Sequence, residues 1–387
     1  MFEKVFASLC ARVQSLRRQP QPRCCFLPPH ILSAIVNSPR TSAGQRSAAL
    51  DSLNATSSFS NARTGYAESQ RSAVEQQRLV RLSAGKTALQ AAVAGQPNRT
   101  IYSANCTQRL PGTVVRSEGD PPTGDPATDE AYQYMGNTYD FYWTVFQRDS
   151  VDNAGYPLNG SVHYSRNYDN AFWDGQRMIY GDGDGVQFTR FTISVDVIGH
   201  ELTHGVTQNE SGLIYWKETG ALNESLSDVF GSMVKQYVNN QNVQQADWLI
   251  GQGLFLPTWV AQYPQDLAIR SMKAPGTAYN DPVLGPDPQP ANMANYVNTI
   301  SDNGGVHINS GIANYAFYLA ATAMGGYSWQ TVGPIWYAAM TSPNLTKNAT
   351  FSDFARLTFQ FARRLYPNSN AAQAVAQAWT QVGVALP

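Results

Sequence analysis

The sequence predicts an α+β chain in which a β-rich half precedes a helical half. Three observations carry this. Strand-like runs bounded by turn residues occupy the stretch before Ser194, and helical apolar periodicity takes over beyond it. Ahead of residue 100 lies a region with few large apolar side chains, which supplies little core of its own.

That leading region is rich in Ser, Ala, Arg and Gln between residues 38 and 96, where short helices are expected at 48–53 and 73–82. One island differs. Phe26-Leu27-Pro28-Pro29-His30-Ile31-Leu32 joins two rigid prolines to bulky apolar groups, and proline suits the first turn of a helix. From Ile101 the texture becomes globular. Residues 160–164 and 172–180 read as strands, separated by Asn167 and Asp169 and followed by Gly181-Asp182-Gly183-Asp184-Gly185. Helices are expected at 195–208, 221–238, 312–324, 329–340, 351–365 and 371–384.

At 387 residues the chain is long enough for two or three structural units. It is 43% hydrophobic and 14% charged with a formal net charge of −1, a balance that argues against nucleic-acid or membrane-surface partners. No apolar run reaches the roughly 18–20 residues of a membrane span. Cys10, Cys24, Cys25 and Cys106 form neither a disulfide framework nor a zinc-finger spacing. The first residues are interrupted by Lys4, Arg12 and Gln14, against the pattern of an ordinary secretory leader.

The chemistry concentrates in His200-Glu201-Leu202-Thr203-His204. Residues four apart share one helix face, so both imidazoles can address one ion with Glu201 beside them. Val195, Ile198, Leu202 and Val206 form an apolar stripe on another face, Thr192 or Ser194 can cap the start, and Gly212 lies past the end. Zinc accepts neutral imidazole nitrogens, and catalytic sites combine three protein ligands with one open position. Glu224 and Asp228, also four apart, offer a third ligand and an acceptor for the other ring N–H of a ligating histidine. The competing reading is a helix that carries two histidines by chance, among only five in the chain.

Beside these residues, Gly212-Leu213-Ile214-Tyr215, the run 220–231, Asn170-Ala171-Phe172-Trp173 and Asp302-Asn303-Gly304-Gly305-Val306-His307-Ile308-Asn309-Ser310-Gly311 stand in one order. Together they resemble the signature blocks of the thermolysin-like zinc metallopeptidases, the neutral proteases. The resemblance implies two lobes, β-rich and then α-helical, bridged by the zinc-binding helix. It divides the chain into a propeptide at 1–100, a β-rich catalytic lobe at 101–208 and an α-helical lobe at 209–387.

It further implies an endopeptidase that cuts on the N-terminal side of bulky hydrophobic residues. His200, His204 and Glu224 would hold one Zn²⁺, and Glu201 would activate the zinc-bound water. Tyr215 and His307, the latter oriented by Asp302, would face the developing oxyanion. Asn170, Ala171 and Arg270 would align substrate backbone. Phe188, Val197 and Ile269 would wall the apolar pocket, and Asn223 and Asp228 would support the zinc-bound histidines.

Where the best-known relatives bind paired calcium through carboxylates, this chain keeps Asp196 and Asp247 but has Lys235, Leu249 and Gln252. Calcium prefers 6–8 oxygen ligands, so an ammonium there argues against it. Lys235 is expected to pair with Asp196 and Asp247 instead. This pattern and the Pro28-Pro29-His30-Ile31-Leu32 island are similar to the protealysin-like subgroup. By that likeness the leader is an intramolecular inhibitor, with residues 28–32 nearest the active site. Protein or peptide substrates, a monomer and secretion are expected, with a cytoplasmic precursor as the alternative. A non-catalytic binding protein or a zinc hydrolase of another class, such as an aminopeptidase, are the competing functions.

Overall fold

A computed structural model describes residues 25–56 and 95–386. The expected helix at 73–82 lies outside them. Among the described residues, the leader contributes α1 (Pro29–Asn37), which starts on Pro29 after Pro28 at its N-cap, and a second helix, α2, at 43–56.

A five-stranded sheet follows, with β1 (Arg99–Thr107), β2 (Thr113–Ser117), β3 (Leu158–Tyr164), β4 (Ala171–Trp173) and β5 (Met178–Tyr180) in the order β2-β1-β3-β5-β4. β1 pairs parallel to β3 and β3 to β5, while β2 and β4 join antiparallel at the two edges. The single strand expected over 172–180 is therefore two. Asp174 Oδ1 accepts from the backbone N–H of Gln176 and Arg177 and folds the run into a hairpin. That fold makes β4 an edge strand, whose free side faces the cleft.

Between β2 and β3 runs α3 (Pro126–Phe146), a helix of 21 residues with no counterpart in the sequence expectations. Its start is nonetheless encoded. Asp125 caps it by accepting from Thr128 N, Pro126 opens it, and Ala127, Ala131, Met135, Thr138, Tyr139 and Tyr142 line one buried face.

The helical lobe holds α4 (Val195–Asn209), α5 (Lys217–Val238), α6 (Pro257–Gln262), α7 (Asp302–Met324), α8 (Gly333–Met340), α9 (Phe351–Leu365) and α10 (Ala371–Gln381). Short strands β6 (Leu249–Ile250) and β7 (Arg270–Ser271) pair antiparallel, as do β8 (Asn280–Asp281) and β9 (Gly285–Pro286). α4 packs against α3, α5 and β4 and so joins the sheet to the helices. A Cβ on Gly231 of α5 would fall 2.5 Å from Asp196 O of α4, so only glycine permits this approach of the two backbones. α7 begins ten residues before the expected 312, and its first turn holds Asn303, Gly304 and Gly305 in left-handed backbone. One hydrophobic cluster runs through both lobes and includes Phe26, Leu27, Ile31, Leu32 and Ile35 of the leader.

Candidate metal and active site

α4 is buried along almost its whole length, from Asp196 through Thr207, so its two histidines meet no solvent. Each Nδ1 atom is engaged, His200 with Asp228 Oδ1 at 2.8 Å and His204 with Asn223 Oδ1 at 2.9 Å and Ser227 Oγ at 3.0 Å. Donation from Nδ1 leaves the lone pair on Nε2. The two Nε2 atoms nevertheless face each other at 3.1 Å, and Glu224 brings Oε1 to 3.3 Å of His204 Nε2 and Oε2 to 3.4 Å of His200 Nε2. Two lone pairs and a carboxylate converging in a buried space fit a divalent cation, and the His₂-carboxylate donor set suits zinc.

Glu201 also lies within ligand range of the pair, but its Oε1 stands 4.0 Å from His200 Nε2, and its Oε2 accepts from Trp173 N at 2.9 Å. Glu224 is thus the better-placed ligand, with Glu201 beside it. Against the burial that opposes ionisation, His307 and His204 hold the Glu224 carboxyl well below the usual range. Burial likewise opposes charge on Asp228, yet Arg270 and His200 hold its pKa at about 2. Asp228 is a hub. It accepts from Arg270 Nε and Nη2 at 2.8 Å each and from Asn314 Nδ2 at 2.8 Å, so one carboxylate fixes a histidine and an arginine together.

Opposite the pair, Tyr215 Oη donates to Glu224 Oε1 and lies 3.2 Å from His307 Nε2. Asp302 engages His307 at Nδ1 (2.5 Å) and at the backbone N–H (2.8 Å). Burial disfavours the imidazolium, but Asp302 and Glu224 outweigh it and raise His307 to about 9. Gln289 Nε2, which sequence reading missed, donates to His307 O at 2.7 Å.

The cleft is filled by the leader, and the residues nearest the histidines are Cys25, Phe26 and Leu27 rather than the expected 28–32. Pro28 and Pro29 turn the chain out of the cleft into α1, because neither offers an N–H to the cleft wall. Cys25 O meets His307 Nε2 at 2.8 Å, and Phe26 N donates to Ala171 O at 3.0 Å. Arg270 Nη1 donates to Phe26 O at 3.0 Å, and Leu27 N to Asn170 Oδ1 at 2.8 Å. The Phe26 ring meets His200 edge-on at 5.3 Å and the Arg270 guanidinium at 4.6 Å. Ile269 flanks the ring across Gly251, while Phe188, stacked on Phe255, and Val197 lie buried in the surrounding core.

Behind α4, Lys235 Nζ lies 2.8 Å from Asp247 Oδ2 and 3.4 Å from Asp196 Oδ2, and it donates to Leu249 O at 3.2 Å. The expected pairing is present, with Gln252 Oε1 at 3.5 Å completing the cage.

The family described as "Thermolysin metallopeptidase, catalytic domain" matches residues 55–208, and "Thermolysin metallopeptidase, alpha-helical domain" matches residues 211–384. The chain is 57% identical over 291 residues to an extracellular metalloprotease of Pectobacterium carotovorum subsp. carotovorum, covering 75% of this chain and 82% of that one. It is 47% identical over 289 residues to Protease PrtS of Photorhabdus sp., covering 74% of this chain and 76% of that one. Its fold superposes on the precursor of protealysin, a metalloproteinase from Serratia proteamaculans, with a TM-score of 0.81 and 48% identity over 94% of this chain and all (100%) of the other. A His₂-carboxylate centre on a bridging helix is thus matched by likeness across both lobes, and the chain belongs to the thermolysin family of metallopeptidases.

Proposed function

We propose that this metallopeptidase is a zinc-dependent endopeptidase made as an autoinhibited zymogen. The observation that carries the reading is the convergence of His200 Nε2, His204 Nε2 and the Glu224 carboxylate, with both histidine Nδ1 atoms already engaged. Those three residues would hold the ion. A Zn²⁺ bound there would supply Lewis acidity and bring the pKa of a coordinated water to about 7.

The protein's own groups then have distinct tasks. Glu201 takes the proton of the attacking water and hands it to the leaving amine, a role its buried place beside the histidine pair favours. His307 and Tyr215 donate to the oxygen on which charge develops, and Asp302 keeps His307 protonated and aimed. Asn223 and Asp228 orient the metal-binding histidines. Asn170, Ala171 and Arg270 bind substrate backbone in the manner in which they hold Phe26 and Leu27. The Phe26 ring beside Ile269 supports a preference for a bulky hydrophobic residue just after the cut, with Phe188 and Val197 as the more distant walls.

With residues 25–27 in the cleft, no substrate can enter, which supports the leader of about 100 residues as an intramolecular inhibitor. Lys235 within a cage of Asp196, Asp247, Leu249 O and Gln252 supports a protein that dispenses with calcium there. Relatives named as extracellular metalloproteases support secretion. The mature enzyme is expected to act as a monomer on protein and peptide substrates.

Glu201→Gln tests the reading. The variant should retain one zinc per chain by elemental analysis and lose about 10²–10⁴-fold in cleavage of an unstructured protein. An active variant, or a wild type that trims only chain ends, would refute it.

A further inference from the structure

We propose that the leader is held as a substrate, with the Cys25–Phe26 peptide bond at the reacting position, and that the chain hydrolyses this bond in cis. The inference rests on the endopeptidase reading above and deepens it. A segment that merely blocked the cleft could lie in either direction and any register. Here every backbone polar group from Cys25 O to Leu27 O is matched. Cys25 O faces His307 Nε2 at 2.8 Å, Phe26 N donates to Ala171 O at 3.0 Å, and Phe26 O accepts from Arg270 Nη1 at 3.0 Å. Leu27 N donates to Asn170 Oδ1 at 2.8 Å, and Leu27 O accepts from Asn170 Nδ2 at 3.4 Å.

Direction follows from donor and acceptor type. Arg270 offers only N–H groups and Ala171 O only accepts, so a reversed chain would set N–H against N–H and carbonyl against carbonyl. Register follows from proline. Advancing the chain by one residue would set Pro28 against Asn170 Oδ1, and by two against Ala171 O, and proline has no N–H to give to either acceptor. The carbonyl that faces the residues assigned to the oxyanion is therefore that of Cys25, and the nitrogen that would leave is that of Phe26.

The step balances. The oxygen of a water adds to the Cys25 carbonyl carbon, and its proton passes through Glu201 to the Phe26 nitrogen as the C–N bond breaks. The products are a carboxylate on Cys25 and an ammonium on Phe26, whose nitrogen ends with both protons of the water. Residues 26–56 remain docked at first, because Phe26, Leu27, Ile31, Leu32 and Ile35 stay in the shared core. The cut therefore precedes leader release.

The test is intact mass spectrometry of the purified, zinc-loaded full chain over time, across a hundredfold range of concentration, with Glu201→Gln alongside. The expected result is a fragment beginning at Phe26 that forms in the wild type only, with a first-order rate independent of dilution. Phe26→Gly should slow that rate at least tenfold. A 25–26 bond that stays whole while the same preparation cuts an added unstructured protein overturns the proposal. If the added protein is also untouched, the endopeptidase reading fails, and hydrogen exchange on the Glu201→Gln chain decides the register alone. There Phe26→Ala should lower amide protection in α1 at least tenfold, and unchanged protection overturns the register.

Discussion

Replacing Lys235 by methionine isolates the contribution of the cation behind α4. The ammonium lies 2.8 Å and 3.0 Å from the two Asp247 oxygens and 3.4 Å from Asp196 Oδ2. Asp196 is fully buried, with 0% of its side chain exposed, whereas Asp247 is 33% exposed. At an effective dielectric of about 20, a pair at the Asp196 distance attracts by about 5 kcal/mol, most of it offset by desolvation while the pair is intact. Removing one partner forfeits the attraction and strands Asp196 in the core, for which breaking a buried pair costs about 3–5 kcal/mol. Asp196 keeps its bonds from Ser194 Oγ and Gly251 N, and Asp247 reaches water, so the lower end applies, about 3 kcal/mol.

For a catalytic unit of this size that corresponds to a fall of about 5 °C in Tm. Thermal unfolding would be followed by tryptophan fluorescence in the Glu201→Gln background, which prevents self-digestion. A second arm uses Lys235→Glu, which sets a carboxylate among Asp196, Asp247, Leu249 O and Gln252. Calcium at millimolar concentration should raise the Tm of that variant and leave the wild type unchanged. A Lys235→Met chain within 1 kcal/mol of its parent, or a wild type stabilised by calcium through this site, would refute the reasoning.

Three further outcomes are expected. Gly251 has φ 73°, and a Cβ there would lie 2.9 Å from both Ile269 Cγ1 and the Phe26 ring. Gly251→Ala should therefore lower kcat/KM for Phe after the cut, relative to Leu, by about tenfold or more in paired peptide assays. An unchanged ratio would remove Gly251 from the pocket.

His163 presents Nδ1 to Asp182 at 2.9 Å and Nε2 to Asp125 at 3.1 Å, and chiefly the Asp182 bond raises it to about 9. Because the folded pKa is raised, its stabilisation is full below about 6.5 and disappears as pH rises through about 9. Screening of the part-exposed carboxylates reduces it to about 1–2 kcal/mol. Urea unfolding at pH 6.5 and 9.5 should show that loss in the wild type and a smaller one in His163→Gln.

His30, part-buried at 2.9 Å from Tyr279 Oη and with no hydrogen-bond partner for Nδ1 among the described residues, has its pKa lowered to about 4, mainly by desolvation. Its lowered pKa places the effect on the acid side, so leader docking should weaken as pH falls from about 6.5 to 4. Amide exchange in α1, corrected for intrinsic rate, should report this in Glu201→Gln chains, and His30→Gln should flatten it. Equal protection at both ends of that range would count against the role of His30.

Much of the site was legible because its signals are local. The four-residue spacing of His200 and His204, and of Glu224 and Asp228, sets each pair on one helix face whatever the tertiary context. Boundaries were less legible. The run 172–180 is apolar and β-prone throughout, and only the Asp174 turn reveals two strands. α3 was missed although Asp125 and Pro126 mark its start, because half-buried Tyr134, Trp143 and Phe146 blur the edge of its apolar face and no capping box follows Asp125.

Sequence alone set His200 and His204 on one helix face, offered Glu224 beside them, gave the family's block order and paired Lys235 with Asp196 and Asp247. The histidine pair is read from a four-residue spacing, and the rest from residue types standing in the order of the family's blocks. Tertiary structure decided the rest: that Asp228 joins His200 to Arg270, that Asn314, Ser227 and Gln289 support the site, and that Cys25–Leu27 occupy the cleft while Pro28 and Pro29 leave it. Those contacts join groups as far as 282 positions apart in the chain, where spacing carries no information. They are selected by burial, which permits a polar group in the interior only where a complementary partner meets it.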